Sequence, residues 1–254
     1  LDAALEAAAQ ALGVTVSAHG GSAIGVLGSP HLTNEDLFRL GQLVAALGTP
    51  NYDMIVPVGP ADDFLIKAEK AANAAGARAL GVKPGDGGRD AQAILEGAKS
   101  GDLRVLLIVG SEDAARVLGA DGIKDAVAKL DALIVVDANR SALTDAATVV
   151  LPGLVWAEKD GSFTNHAGRV QRIRQAMEPH AGLEPKSALF GRLAALVARS
   201  SAPAAYDAGA TLREIAAAVP AFAGIGFDTL GSAGIAPQEP GAAGAAEAAA
   251  PAQA

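Results

Sequence analysis

The 254-residue sequence contains no cysteine. This excludes disulfides, a thiolate nucleophile and any Cys-ligated zinc or iron–sulfur site within the chain. Aromatic residues are also scarce, at 4% against 50% hydrophobic residues overall. The core therefore has to be built from Ala, Val, Leu and Ile through many close helix–sheet contacts. No run of 18 or more apolar residues occurs, so the sequence offers no transmembrane helix. A basic surplus is missing too. The formal charge of −8 opposes the clustered Lys and Arg that phosphate backbones require, which argues against nucleic acid as a partner. Four histidines, His19, His31, His166 and His180, lack metal-ligand spacing and read as surface or loop residues. The chain begins with Leu and shows no charged-then-apolar leader, so the expectation is a piece of a longer polypeptide.

The sequence does contain an alternation of helical and extended patterns. Residues 1–12 read as an Ala-rich helix closed at Gly13, VTVSA (14–18) as a short strand, and GGSAIGVLGSP (20–30) as a Gly-rich loop. TNEDLFRLGQLVAALG (33–48) has Thr33 or Asn34 to cap the start, Glu35 and Asp36 in the first turn and Gly48 at the end, which predicts a helix. A further helix is predicted over 60–76, capped by Gly76, then a short extended segment or turn (77–82), a loop (83–88) and a helix over 90–101. LRVLLIVG (103–110), ALIVVDA (132–138) and TVVLP (148–152) are continuous β-branched apolar runs, the pattern of strands buried on both faces. A short helix within 111–129 connects the first two. Residues 1–152 thus predict a doubly wound, mainly parallel α/β sheet with flanking helices. Loop and short extended segments follow, then helices near 186–199 and 209–218. Residues 232–254, almost wholly Ala, Gly and Pro without Lys or Arg, read as a disordered tail.

Open parallel sheets bind ligands beyond the carboxyl ends of their strands. Gly110 stands at one such end, followed by Ser111, Glu112 and Asp113, but only one glycine of a dinucleotide fingerprint is present. In the Gly-rich loop, Gly20 and Gly25 have phosphate-loop spacing, yet Val26 stands where Lys is required. Asp137 ends the next strand and precedes Asn139, Arg140, Ser141, Thr144 and Asp145. A carboxylate there can accept from a guanine edge or a ribose; equally, Ser141 and Asp145 can form a helix cap. No G-x-S-x-G is present, so a hydrolase triad has little support. The stretch EKDGSFTNHAGRVQ (158–171) concentrates polar side chains after a buried strand. It reads as a polar loop in which Gly161 and Gly168 permit turns and Arg169 bridges to Asp160 or Glu158.

That stretch, extended to ATVVLPGLVWAEKDGSFTNHAGRVQ, resembles the ADVVLP…EK-x-GTF-x-N-x-EGR-x-Q segment of the molybdopterin oxidoreductase superfamily. LIVVDANRSALTDAATVVLP is similar to that family's strand, Asp, TETA turn and following strand. HLTNEDLFRLGQLVAALGTPNYD is similar to its L-TNEE-helix-LG-T-N-D stretch, and LRVLLIVGSEDAARVL to the segment reading ALYVLGENP. The likeness covers about residues 20–200 and is nearest to the large iron–sulfur subunit of bacterial NADH-quinone oxidoreductase (respiratory complex I).

The resemblance implies residues 1–200 as a molybdopterin-oxidoreductase-like α/β domain, with 201–231 an appended helical segment. It implies a scaffold with no chemistry or cofactor of its own, supporting electron transfer from NADH to a quinone. Iron–sulfur clusters would lie in an N-terminal part outside this chain, and the other subunits of a respiratory complex would be its partners. Such a complex would sit peripherally on the inner face of the cell membrane, without direct membrane insertion by this chain. The alternative is the C-terminal part of a catalytic molybdopterin-guanine-dinucleotide oxidoreductase such as a formate dehydrogenase. There Gly110, Asp137 and Thr144 would hold the guanine nucleotide, and Asn165, Arg169 and Gln171 would approach the pterin. Thr148, Thr144-Asp145, Asp113-Ala114 and Ala167 depart from the family pattern, which implies a vestigial pocket.

Overall fold

The computed structural model describes residues 1–201 and 205–236. Five strands, β1 (Ile24–Gly28), β2 (Asn51–Met54), β3 (Val105–Val109), β4 (Ala132–Asp137) and β5 (Val149–Pro152), form one parallel sheet in the order β2-β1-β3-β4-β5. The expected doubly wound α/β architecture is present. Strand order reverses between β1 and β3, where Leu27 is opposite Ile108.

Alternate strand residues serve the two faces of the sheet. Val26, Leu107, Ile134 and Leu151 join the core beneath helices α1 (Asp2–His19), α2 (Asn34–Leu47) and α7 (Lys186–Ala198). Leu27, Ile108, Leu133 and Val135 join the opposite core beneath α4 (Ala91–Ser100), α5 (Ser111–Lys129) and α6 (Ala142–Ala146). Each fully buried aliphatic side chain contributes about 1.5–3 kcal/mol. This is why β3 and β4, apolar on both sides, are the residue runs most plainly written as strands.

Several local expectations are corrected. Gly13 does not end the first helix, and VTVSA is not a strand: α1 continues to His19 and closes at Gly20. The helix survives an internal glycine and β-branched residues because Leu5, Ala8, Leu12 and Thr15 form one buried stripe. The hydroxyls of Thr15 and Ser17 donate back to Ala11 O (2.9 Å) and Gly13 O (2.8 Å).

The Gly-rich stretch at 20–30 is no loop; it contains the buried strand β1. A Cβ at Gly25 would stand 2.8 Å from both Ile94 Cγ2 and Leu103 Cδ1, so this glycine is there for close packing of α4 on the sheet.

Residues 60–72 form no helix. The chain makes an arm in which Gly59 N donates to Ala68 O (2.9 Å) and Lys70 N to Pro57 O (2.8 Å). The helix here, α3, spans only Ala74–Ala79 and contains Gly76 instead of ending at it. The connection over 111–129 is one long element broken at Gly119 (φ 65°, ψ 176°).

The stretch 158–171 is a β-hairpin, not a loop. Strands β6 (Gly161–Thr164) and β7 (Val170–Ile173) pair antiparallel, with Phe163 opposite Gln171. Helix α8 (Ala208–Ala218) and the segment after it pack Leu212, Ile215, Phe222 and Leu230 around Val170. Most of the expected tail lies outside the described residues; within them Ile235 exchanges two backbone hydrogen bonds with Val170 (2.7 and 2.9 Å).

Replacing Gly25 by Ala is expected to overpack the α4–β1 contact and destabilise the fold by about 1–3 kcal/mol. The midpoint of urea unfolding measures this; an unchanged midpoint would mean that α4 is free to shift.

Candidate functional site

Two polar assemblies stand out. The first lies at the carboxyl ends of the strands and surrounds a cavity of about 630 Å³. Gly110, Ser111, Asp137 and Ser141 line it, with Arg140 and His31 at its border. Strand β4 delivers Asp137, and the turn after β3 delivers Ser111 at the start of α5. Asp137 Oδ2 accepts from Ser111 N and Ser111 Oγ, both at 2.6 Å. Its Oδ1 accepts from Ala138 N (2.7 Å) and Asn139 N (3.2 Å). Burial pushes this carboxyl up, but these donors outweigh it and hold it below the usual range.

Ser141 caps α6 in a reciprocal pair with Thr144, and Ser111 Oγ meets Ser141 Oγ at 2.6 Å. Thr144 therefore serves the cap, and Asp145 pairs with Arg140 (2.7 Å). Gly110 has φ 72°, and a Cβ there would stand 2.9 Å from Ser29 Oγ and 3.0 Å from Ser29 Cβ. The side chain of Ser29, at the end of β1, thus fills the crevice between β1 and β3, where a doubly wound sheet otherwise admits a ligand.

These residues do not fit a guanine nucleotide held by Asp137. Each carboxylate oxygen already accepts two hydrogen bonds, and the glycine that could let a phosphate approach is packed on Ser29. The absence of a phosphate-loop Lys points the same way. Among the described residues no group of three or more His, Asp or Glu is placed to hold a metal ion.

The other three predicted residues are elsewhere. Asn165, Arg169 and Gln171 sit on the hairpin, and none lines the strand-end cavity. Asn165 Oδ1 accepts from Ala167 N and Arg169 N (both 3.0 Å), and its Nδ2 donates to Gln171 Oε1 (3.2 Å). Arg169 Nη1 donates to Gly234 O (2.9 Å), so it does not bridge to Asp160 or Glu158. Arg172 approaches Asp160 instead (3.8 Å). Glu158 is taken by Val155 N (2.9 Å) and His180 N (3.2 Å). This trio shapes a tight turn and anchors the segment near Gly234.

The second assembly has no counterpart among the expected site residues. The whole first turn of α2, Thr33-Asn34-Glu35-Asp36, is buried, although acidic first turns ordinarily face water. Lys159 Nζ donates to the Asp36 carboxylate, with the two side chains 3% and 2% exposed. Asp36 also completes the α2 capping box with Thr33 and accepts from Ser187 N at the start of α7 (2.9 Å). Burial alone would raise the Asp36 carboxyl, but Lys159 chiefly, with Lys186 and Thr33, holds it below its ordinary value.

Glu35 accepts from Ser162 N (2.9 Å) and Ser162 Oγ (2.7 Å). Asn34 Nδ2 donates to Ser162 Oγ and Thr164 Oγ1 (both 3.1 Å), while its Oδ1 accepts from Asn73 Nδ2 (3.0 Å). Asn73 Oδ1 in turn accepts from Thr164 N (2.6 Å). Glu35 has no cation in direct contact, and burial pushes its carboxyl up to about 7. Lys186, also buried, donates to Leu154 O (2.7 Å), and burial lowers its ammonium despite nearby Asp36. Every acceptor and cation of this cluster is directed at another part of the chain, so its geometry is that of a clamp.

A family model described as molybdopterin oxidoreductase matches residues 64–195. Similar curated proteins include a large subunit of the NADH-quinone oxidoreductase of Rhizobium meliloti, the second of its G type, 33% identical over 151 residues, covering 59% of this chain and 18% of the relative. The F420-dependent formate dehydrogenase 2 subunit alpha of Methanococcus maripaludis is 32% identical over 149 residues, covering 56% and 22%. The NADPH-Fe(3+) oxidoreductase subunit alpha of Geobacter sulfurreducens is 35% identical over 154 residues, covering 59% and 18%. The chain thus spans about a fifth of the length of these relatives.

Lys159→Met strands a buried Asp36 carboxylate and is expected to cost about 3–5 kcal/mol, with Asp36→Asn/Lys159→Met losing less than the sum of its single variants. Equilibrium urea unfolding of the cycle measures the coupling. Glu35, raised from 4.5 to about 7, makes the folded state hold a proton that the unfolded state releases. Its contribution is complete below pH 4.5 and is lost as pH rises through 7, on the order of 3 kcal/mol in all. Glu35→Gln is therefore expected to flatten the stability–pH curve between 4.5 and 7; a parallel curve would place the raised group elsewhere.

Proposed function

The chain belongs to the molybdopterin oxidoreductase family, and from that footing we propose that it is a framework segment of the large iron–sulfur subunit of an NADH:quinone oxidoreductase. In this reading it carries no redox centre or cofactor of its own, and electrons pass through clusters held elsewhere in the subunit. Its partners are the other subunits of the respiratory complex, on the inner face of the membrane. Among the described residues no helix is long and apolar enough to cross a membrane.

The observation that carries the framework reading is the saturation of Asp137. The carboxylate best placed to receive a guanine edge is consumed by Ser111, Ala138 and Asn139, and Ser29 occupies the adjoining crevice against Gly110. The two stretches that carry the likeness most specifically, TNED at 33–36 and EKDGSFTN at 158–165, are joined to each other by the Lys159–Asp36 and Ser162–Glu35 contacts. Both are thereby accounted for as framework. Similarity to the Rhizobium protein supports the assignment to the large subunit of an NADH-quinone oxidoreductase.

One observation favours a second reading, the C-terminal part of a catalytic molybdopterin-guanine-dinucleotide oxidoreductase. The strand-end cavity remains large, Arg140 and Arg116 lie on its border, and a formate dehydrogenase is among the relatives.

Metal and pterin analysis of the purified full-length protein separates the two. Neither molybdenum, tungsten nor guanine nucleotide is expected in stoichiometric amount, and GMP is expected to leave the melting temperature unchanged. Stoichiometric molybdenum or tungsten with released guanine nucleotide would overturn the framework reading.

A further inference from the structure

The arm at residues 57–70 has a construction that the sheet does not need. Its tip exposes three consecutive large apolar side chains, Phe64 (90% exposed), Leu65 (74%) and Ile66 (52%), and Val58 at its base is 75% exposed. In a chain with so few aromatics, a phenylalanine held in water is a departure that calls for a cause. The tip is also ordered from within. Asp62 Oδ1 accepts from Phe64 N (3.0 Å), Leu65 N (2.6 Å) and Ile66 N (2.7 Å), and Asp62 N donates to Ile66 O (2.9 Å). One carboxylate thus fixes the backbone that presents all three side chains.

The charges of the arm are directed inward. Lys70 Nζ donates to Pro60 O and Lys67 O, and Glu69 pairs with Arg78. Asp62 is spent on the tip, which leaves Asp63 and Lys67, of opposite sign. An apolar tip with balanced flanks fits a dry protein pocket. It does not fit an anionic bilayer, which attracts apolar loops flanked by basic residues and would repel a chain of charge −8.

We infer that this arm is a docking element whose Phe64-Leu65-Ile66 tip seats in an apolar pocket on the further polypeptide of the full-length gene product, beside the mouth of the strand-end cavity. Two observations select that occupant. The relatives carry about four-fifths of their length outside the matched span, so there is polypeptide to supply the pocket. Pro57, Val58 and Lys70 at the base of the arm line the strand-end cavity, so a body receiving the tip also lies over that opening. The inference rests on family membership and not on the cavity being empty of cofactor.

The test uses the full-length gene product with p-benzoylphenylalanine at position 64. Photolysis and peptide mapping are expected to give a crosslink to a peptide of the same gene product outside residues 1–254. Crosslinks to lipid, to a second copy or to another subunit, or no crosslink at all, would each overturn the assignment. In parallel, tryptic cleavage after Lys67 reports on the docked arm. Phe64→Asp is expected to accelerate it roughly thirtyfold, the effect of losing a buried aromatic anchor, while Phe64→Leu retains most of the protection. Equal cleavage in wild type and Phe64→Asp would mean the tip is free. Metal and pterin content is read on the same samples, so failure here is distinguishable from failure of the framework reading.

Discussion

The buried first turn of α2 is the constraint on which the rest of the structure depends. A helix start normally leaves its orphan N–H groups and acidic side chains in water. Here Thr33, Asn34, Glu35 and Asp36 are all covered, and polar groups removed from water require partners or the fold loses several kcal/mol. Those partners come from four separate places: Lys159 before the hairpin, Ser162 and Thr164 on β6, Asn73 before α3, and Ser187 at the start of α7. None of these elements can move without stranding a buried donor or acceptor. The clamp therefore sets the hairpin against α2, and α8 and the segment following it complete their core on the hairpin's Val170.

The parts of the fold legible in the sequence are those where one local rule decides. Helix α2 reads correctly from Thr33 and Gly48 because capping geometry is local. β3 and β4 read correctly because burial on both faces leaves an uninterrupted apolar run. Elsewhere tertiary contacts override local preference. The strand β1 hides among glycines because α4 presses on Gly25, and no short-range pattern distinguishes that use of glycine from a turn. Val14-Thr15-Val16 looks extended, yet it completes the buried stripe of α1. The Ala-rich segment over 60–76 invites a helix, but Asp62 captures three successive backbone N–H groups and folds the chain into an arm.

The candidate site divides along the same line. Gly110 and Asp137 are legible because strand ends are visible in sequence, and the helix-cap alternative for Ser141 is its arrangement, with Thr144 as the partner. What the sequence could not show is that Asp137 is already saturated, since its chief donor, Ser111, lies 26 residues away. Asn165, Arg169 and Gln171 stand out by polarity alone and are spent on their own turn. The clamp residues are invisible to local patterns because their partners lie more than a hundred positions apart. A faint signal exists: two polar stretches, TNED and EKDGSFT, carry complementary charge, hydroxyl and amide groups in an otherwise Ala-rich chain.

The separation between Asp36 and Lys159, 123 residues, has a consequence for the order of events on the ribosome. At about 5–20 residues per second, on the order of ten seconds pass between the emergence of the α2 start and that of its partners. During this interval the start of α2 keeps its water. All five strands of the main sheet are synthesised by Pro152. A chain halted just before Lys159 would hold every one of those strands and still lack the groups that let its second helix be buried.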